Sequence, residues 1–124
     1  MYYLKKTTEI AGAHNLKLDY ESKCSLLHGH NWVISVYCKA RELNKNGMVT
    51  DFTDIKKAVM SLDHRYINDV IPINPTAENI AKYLCEIIPN CYRVDVIESQ
   101  NNEASYEKDE VSINPNNIIL DRKI

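Results

Sequence analysis

The sequence predicts an α+β fold in which a four-stranded antiparallel sheet carries two helices on one face. One long run alternates between apolar and polar residues, as a strand with one buried face does; its apolar members are Trp32, Ile34, Val36, Cys38 and Ala40. Two later segments repeat apolar residues at helical spacing. The elements follow one another as strand, strand, helix, helix, strand, strand, and this order predicts one sheet covered by a helical layer.

A long loop separates the first two predicted strands. The segment from Tyr2 to Ala13 is rich in Tyr, Thr and Ile, so it is assigned as the first strand, and residues 15–27 are assigned as the loop. The alternating run from Trp32 to Arg41 is the second strand. It is followed by Asn44-Lys45-Asn46-Gly47, which is typical of a turn.

Two helices are predicted in the middle of the chain. The first runs from about Thr53 to Leu62, and prolines interrupt the segment after it. Thr76 has the character of an N-cap, and Glu78 suits the first turn of the second helix, which ends before Pro89. The residues expected to face inward on the second helix are Ile80, Tyr83, Leu84 and Ile87.

A hairpin is predicted after the helices. Tyr92 to Ser99 alternates as a third strand, and Ala104 to Val111 forms the fourth. Between them, Gln100-Asn101-Asn102 is the expected turn. The tail after Pro115 has no recognisable pattern.

The second face of this sheet is not polar enough to be simply solvated. Val33 and Tyr37 lie on the face of the second strand opposite to Trp32. Open sheet edges and a partly apolar second face both favour association, so we expect an oligomer that closes the edges into a barrel.

Composition excludes several classes of protein. A chain of 124 residues predicts one domain over residues 1–124, and the net charge of −2 gives no electrostatic signature of nucleic-acid binding. The N-terminal residues lack the apolar region of a secretion signal, and no run is long enough to cross a bilayer. We therefore expect a cytoplasmic protein without membrane contact, whose four cysteines stay reduced.

Three of the four histidines predict one metal site. His28 and His30 are two residues apart before a strand, so their imidazoles can project from one face, and His14 comes from a separate segment. Three imidazoles without a fourth protein ligand describe a catalytic zinc ion that keeps one open position. His14 alone would be more simply explained as a structural histidine, but the neighbouring pair favours a ligand.

A thiol and a carboxylate-oriented histidine accompany this set, and together they are the components of a proton-transfer enzyme. Cys24 lies four residues before His28, and Asp63 directly precedes His64. The alternatives are an inert cysteine and a simple helix cap. The remaining cysteines are expected to be structural.

At this point the residues resemble a known family, that of 6-pyruvoyl-tetrahydropterin and 6-carboxy-tetrahydropterin synthases. The similarity extends over nearly the whole chain and includes Glu98, with Tyr106 eight residues further on. The other ordered motifs that carry it are Ala11-Gly12-Ala13-His14-Asn15-Leu16, Cys24-Ser25-Leu26-Leu27-His28-Gly29-His30-Asn31, Gly47-Met48-Val49-Thr50-Asp51-Phe52, Leu62-Asp63-His64 and Asn74-Pro75-Thr76-Ala77-Glu78-Asn79.

The resemblance implies the tunnelling fold, in which a trimer closes a twelve-stranded barrel and two trimers stack as a homohexamer. It implies a zinc enzyme acting on dihydroneopterin triphosphate, with Cys24, Asp63 and His64 catalytic and Glu98 anchoring the pterin. Thr76 and Glu78 would contact the substrate, although they serve as N-cap and first-turn acid in any case. Glu98 as an ordinary surface residue is the alternative.

The short spacing between Cys24 and His28 resembles the carboxy-forming bacterial enzymes of queuosine synthesis. These make 6-carboxy-5,6,7,8-tetrahydropterin and release acetaldehyde and triphosphate. The segment Gln100-Asn101-Asn102 is closer to the pyruvoyl-forming branch, which eliminates triphosphate without side-chain cleavage. Two further alternatives are a hexamer that binds pterins without catalysis and an aldolase-like enzyme; the zinc histidines argue against the latter, because aldolases of this fold work without metal.

Overall fold

A computed structural model of the chain describes residues 1–113 and 119–122. One sheet has the strand order β3-β1-β2-β4-β5 and consists of β1 (Tyr2–His14), β2 (His28–Ala40), β3 (Arg65–Tyr66), β4 (Cys91–Ser99) and β5 (Asn102–Glu107). A separate two-stranded sheet consists of β6 (Glu110–Ile113) and β7 (Ile119–Arg122). The helices are α1 (Phe52–Met60), α2 (Ile67–Val70) and α3 (Ala77–Ile87), and a short 3-10 helix spans Lys23–Ser25. None of the helices in these ranges is long and apolar enough to cross a membrane.

The α+β class is confirmed, but the predicted four-stranded antiparallel sheet with two helices is corrected. The main sheet has five strands, because β3 pairs with β1 in parallel at Gly12 and Ala13. Strand β3 has only two residues and α2 only four, so neither repeats its period and no sequence pattern could reveal them. The predicted strand from Ala104 to Val111 divides into β5 and the start of β6. Of the tail after Pro115, only β7 lies within the described residues.

The hydrophobic core lies between the sheet and the helices. Alternate residues of β2 are fully buried, as are Ile55 on α1 and Leu84 on α3. The predicted N-cap is confirmed, because the Thr76 hydroxyl oxygen accepts a hydrogen bond from the Asn79 N–H at 3.1 Å. Directly before this N-cap, the carbonyl oxygen of Pro75 lies 2.8 Å from Nδ1 of His14, so the start of α3 lies next to the end of β1.

The helix-free face of the sheet carries a polar network around Asp95. Its carboxylate accepts hydrogen bonds from the hydroxyls of Tyr37 at 2.8 Å and Ser105 at 2.6 Å, and from Nε of Arg93 at 2.9 Å. Burial opposes ionisation of Asp95, but these hydrogen bonds outweigh it and lower the pKa. This face is therefore neither apolar nor simply solvated.

The three cysteines expected to be structural lie in the core. Cys38, Cys85 and Cys91 are buried and free, and the sulfur atoms of Cys85 and Cys91 are 3.4 Å apart. A hydrogen bond with Cys91, together with burial, raises the pKa of Cys85, so this thiol stays protonated.

Candidate metal centre and active site

The register of β1 against β2 brings the three predicted histidines together. His14 is paired directly with His28, and His30 lies two residues further along the same face of β2. One ring nitrogen from each of the three forms a group whose atoms all lie within 4.8 Å of one another. The set predicted from sequence is thus assembled by an ordinary antiparallel ladder.

Two backbone carbonyls orient two of the three imidazoles. Nδ1 of His14 lies 2.8 Å from the carbonyl oxygen of Pro75, and Nδ1 of His28 lies 2.7 Å from that of Leu26. A carbonyl oxygen only accepts, so each Nδ1 carries the hydrogen, and each neutral ring keeps a lone pair on Nε2. This is the tautomer that a metal ion requires when it binds through Nε2.

The electrostatics of the group also fit a metal ion. His14 is fully buried, and burial lowers the pKa values of His14 and His30, which favours the neutral, ligating form. Nε2 of His14 and Nε2 of His30 have no hydrogen-bond partner although both atoms are buried. Buried polar atoms without a partner are uncommon, and a cation between them would satisfy both. Three imidazole donors suit zinc.

Trp32 packs against two of the three imidazoles. Its ring centroid lies 4.9 Å from that of His14 and 5.0 Å from that of His30, both edge-on. Its indole Nε1 donates a hydrogen bond to the carbonyl oxygen of Gly12 at 3.1 Å. The sequence assigned Trp32 only to the core, yet its position two residues after His30 on the same strand face indicated this contact.

Glu98 borders the three-histidine group. Its Oε2 lies 3.9 Å from Nε2 of His14, and its Oε1 lies 3.7 Å from Nε2 of His30. Both distances are too long for hydrogen bonds. The sequence predicted no fourth protein ligand, and the structure places this carboxylate beside two of the three imidazoles.

The Asp63–His64 pair is attached to β1 three residues before His14. Oδ1 of Asp63 accepts the N–H of Ala11 at 2.9 Å, and the N–H of His64 donates to the carbonyl oxygen of Ala11 at 2.6 Å. The Ala11 hydrogen bond, followed by the one from His64, lowers the pKa of Asp63. Nδ1 of His64 lies 2.8 Å from Oδ2 of Asp63, and the φ of His64 is +54°, a left-handed conformation. Ser61 is the C-cap residue of α1, and the pair follows it at this end of the helix.

Cys24 lies on the 3-10 helix between β1 and β2, and its side chain is exposed. The Ser22 hydroxyl accepts the N–H of Cys24 at 3.1 Å, and the Cys24 carbonyl oxygen accepts the N–H of Leu16 at 2.8 Å. Cys24 does not belong to the three-histidine group. Glu78 is exposed in the first turn of α3, whereas Thr76 directly follows the carbonyl that holds His14.

A surface groove is lined by His30 of the three-histidine group and by His64 of the Asp63–His64 pair. The groove is open to solvent and has a volume of about 470 Å³, a size suited to a small molecule. Arg65, which the sequence analysis did not single out, contributes a cationic side chain to it. The groove is lined by Ala11, Gly12, Ala13, Gly29, His30, Asn31, His64 and Arg65.

Comparison with known proteins identifies the family. The family model of 6-pyruvoyl tetrahydropterin synthase matches residues 3–109, and the chain belongs to this family. A Synechocystis protein named 6-carboxy-5,6,7,8-tetrahydropterin synthase is 31% identical over 121 residues, which cover 86% of this chain and 93% of that protein. This chain therefore has relatives named for a specific pterin product.

Two further comparisons differ in what they cover. A Pyrococcus horikoshii protein named "Putative 6-carboxy-5,6,7,8-tetrahydropterin synthase" is 46% identical over 61 residues, which span 49% of this chain but only 38% of that protein. The structure of Caenorhabditis elegans 6-pyruvoyl tetrahydropterin synthase superposes with a TM-score of 0.67 at 24% identity, covering 86% of this chain and 95% of that one. This superposition establishes the shared fold.

Proposed function

We propose that the protein is a zinc-dependent 6-carboxy-5,6,7,8-tetrahydropterin synthase. It converts 7,8-dihydroneopterin triphosphate to 6-carboxy-5,6,7,8-tetrahydropterin, acetaldehyde and triphosphate, a step of queuosine synthesis in the cytoplasm. The observation that carries the proposal is the group of three histidines. In two of them a backbone carbonyl accepts the hydrogen on Nδ1, which leaves the lone pair on Nε2. The product named for the Synechocystis relative supports the carboxy-forming reaction.

The metal would be held by His14, His28 and His30. A zinc ion bound there supplies a Lewis acid that acidifies the hydroxyls of the substrate side chain and the adjacent C–H bonds. The protein contributes the apolar ring of Trp32 and the two backbone carbonyls that orient the imidazoles of His14 and His28. The ring orientations of His14 and His28 are therefore set before the metal binds.

Proton transfer is assigned to Cys24 and to His64. The exposed thiol of Cys24 removes a proton from the substrate as the thiolate, and His64 moves a proton on the other side. Asp63 accepts the hydrogen on Nδ1 of His64, so the lone pair of Nε2 is directed away from Asp63. The His64 side chain is 82% exposed, which lets it meet a substrate in the groove.

Substrate binding is assigned to Glu98, Thr76, Glu78 and Arg65. A carboxylate such as Glu98 accepts the two parallel N–H donors of a 2-amino-4-oxo pterin edge. The Thr76 oxygen accepts from Asn79, and its own hydroxyl proton is left to donate to the substrate. Glu78 lies in the following turn, and Arg65 supplies a positive charge in the groove for the triphosphate.

Product identification tests the proposal. The zinc-loaded protein is incubated with 7,8-dihydroneopterin triphosphate, and the products are identified by liquid chromatography and mass spectrometry. We expect 6-carboxy-5,6,7,8-tetrahydropterin and acetaldehyde. Formation of 6-pyruvoyl-tetrahydropterin without acetaldehyde would identify the pyruvoyl branch instead, and binding without turnover would identify a non-catalytic pterin binder.

Replacing His28 with alanine is expected to abolish stoichiometric zinc binding, since the remaining two imidazoles make an incomplete site. The wild-type chain should bind about one zinc per chain, as three protein ligands hold a single ion. Zinc content after gel filtration, measured by atomic emission, checks this. The matched control is His64→Ala, which removes an imidazole outside the group and should keep the metal. Full occupancy in His28→Ala would place the metal elsewhere.

The protein is expected to be an obligate homohexamer built from two trimers. Within the described ranges, the outer side of β1 pairs only at Gly12 and Ala13, and β5 has a strand partner on one side only. Pairing of β1 with β5 of a neighbouring subunit would remove these open edges and close the sheet into a barrel. Sedimentation velocity at low micromolar concentration tests this, and a stable folded species of 14.3 kDa would contradict it.

A further inference from the structure

We propose that the carboxylate of Glu98 is a fourth protein ligand of the metal when no substrate is present. An incoming substrate would then displace it from the metal, and the released carboxylate would accept the pterin edge. This second step rests on the function proposed above, whereas the first concerns only the metal and this chain. The centre would be a closed site that opens on substrate binding.

The first argument is distance. Ligand atoms at about 2.0–2.1 Å from a tetrahedral zinc ion lie roughly 3.4 Å from one another. The carboxylate oxygens of Glu98 lie 3.7 Å from Nε2 of His30 and 3.9 Å from Nε2 of His14. Both separations are slightly longer than that ligand spacing and beyond hydrogen-bond length.

The second argument is charge. Nδ1 of His14 donates to Pro75, so Nε2 of the neutral ring presents a lone pair. A negatively charged carboxylate is repelled by a lone pair that faces it. Neither Nε2 of His14 nor Nε2 of His30, both buried, has a hydrogen-bond partner that would relieve this repulsion. A cation shared by the carboxylate and the two nitrogens turns this repulsion into attraction.

The third argument is the backbone at Glu98. Ile97 pairs with Glu103, whereas Ser99 pairs with Asn102, so Glu98 is the extra residue of a β-bulge. Bulges re-aim side chains and are common beside active sites. The Glu98 side chain is 27% exposed, so one side of it is open to solvent, and it is not locked among core residues. It can therefore leave the metal without disturbing the sheet.

The test measures metal binding and ligand-field spectra without substrate. Wild type, Glu98→Gln, Glu98→Ala and the control Glu103→Gln are titrated with Zn²⁺ against a chelator and loaded with Co²⁺ for visible absorption. Glu103 is exposed on neighbouring β5 and does not belong to the three-histidine group, so its replacement makes the same charge change without removing the carboxylate beside the imidazoles. We expect both Glu98 variants to bind Zn²⁺ at least about tenfold more weakly and to change the Co²⁺ spectrum. Glu103→Gln should match the wild type.

Equal Zn²⁺ affinity and an unchanged Co²⁺ spectrum in both Glu98 variants would overturn the proposal. Adding 7,8-dihydroneopterin to the wild-type Co²⁺ protein should shift its spectrum, since the substrate analogue replaces the carboxylate. A spectrum unmoved by saturating 7,8-dihydroneopterin would contradict displacement. Because the affinity measurements involve no turnover, weaker binding by the variants would support the fourth ligand even if the protein makes no pterin product.

Discussion

Replacing Cys24 with alanine is expected to lower kcat by about 10²–10⁴-fold, the usual contribution of a group that transfers a proton in the transition state. The side chain is exposed, and the backbone hydrogen bonds to Ser22 and Leu16 do not involve the sulfur. Loss of the sulfur should therefore leave folding and zinc content unchanged. Steady-state kinetics with dihydroneopterin triphosphate, together with metal analysis of the same sample, measure both effects.

Ser25→Ala is the matched control for Cys24, because it makes a similarly small truncation on the same 3-10 helix. The carbonyl oxygen of Ser25, which the substitution keeps, is the atom that accepts the hydrogen bond from Asn15. We expect Ser25→Ala to retain the wild-type kcat. A Cys24→Ala protein with bound zinc and full kcat would show that the thiol is a bystander and that another group takes the proton.

Replacing Trp32 with alanine is expected to lower the free energy of unfolding by about 3–5 kcal/mol. Trp32 is fully buried, so the substitution leaves a large cavity directly behind the rings of His14 and His30. It also leaves the carbonyl oxygen of Gly12 without its indole donor. Urea denaturation of the metal-free protein at a fixed concentration measures the loss without a contribution from zinc.

Trp32→Phe separates packing from hydrogen bonding. The phenyl ring fills most of the cavity but cannot donate to Gly12, so the expected loss is smaller, about 1–3 kcal/mol. If Trp32→Phe is as destabilising as Trp32→Ala, the hydrogen bond rather than the packing dominates. A loss below about 0.5 kcal/mol for Trp32→Ala, as at an ordinary surface site, would show that the cavity collapses.

Much of the fold follows from local patterns. The alternation in β2 and the N-cap at Thr76 could be recognised because each is complete within a few residues. The start of β2 at His28 was placed too late, since polar histidines and Gly29 interrupt the apolar alternation. Strand β3 forms only through parallel pairing with β1, a tertiary contact that no local pattern carries.

The candidate site was predictable where it depended on side-chain identity. The spacing of His28 and His30 predicted a shared strand face, and the β1–β2 register then supplied His14 opposite His28. The approach of Glu98 to the imidazoles depends on a bulge in β4, and a bulge has no marker residue in this sequence. The carbonyl of Pro75 that orients His14 is a backbone atom, which residue type does not reveal.

The hydrogen bond between His14 and the carbonyl of Pro75 joins residues 61 positions apart. All three histidines of the candidate metal site occur between residues 14 and 30, so a short peptide would contain every imidazole donor. Such a peptide would lack Pro75, and its His14 ring would exchange between its two tautomers. Zinc binding and the ordering of the segment before α3 are therefore thermodynamically linked: each favours the other, and loosening this segment weakens the metal centre from a distance.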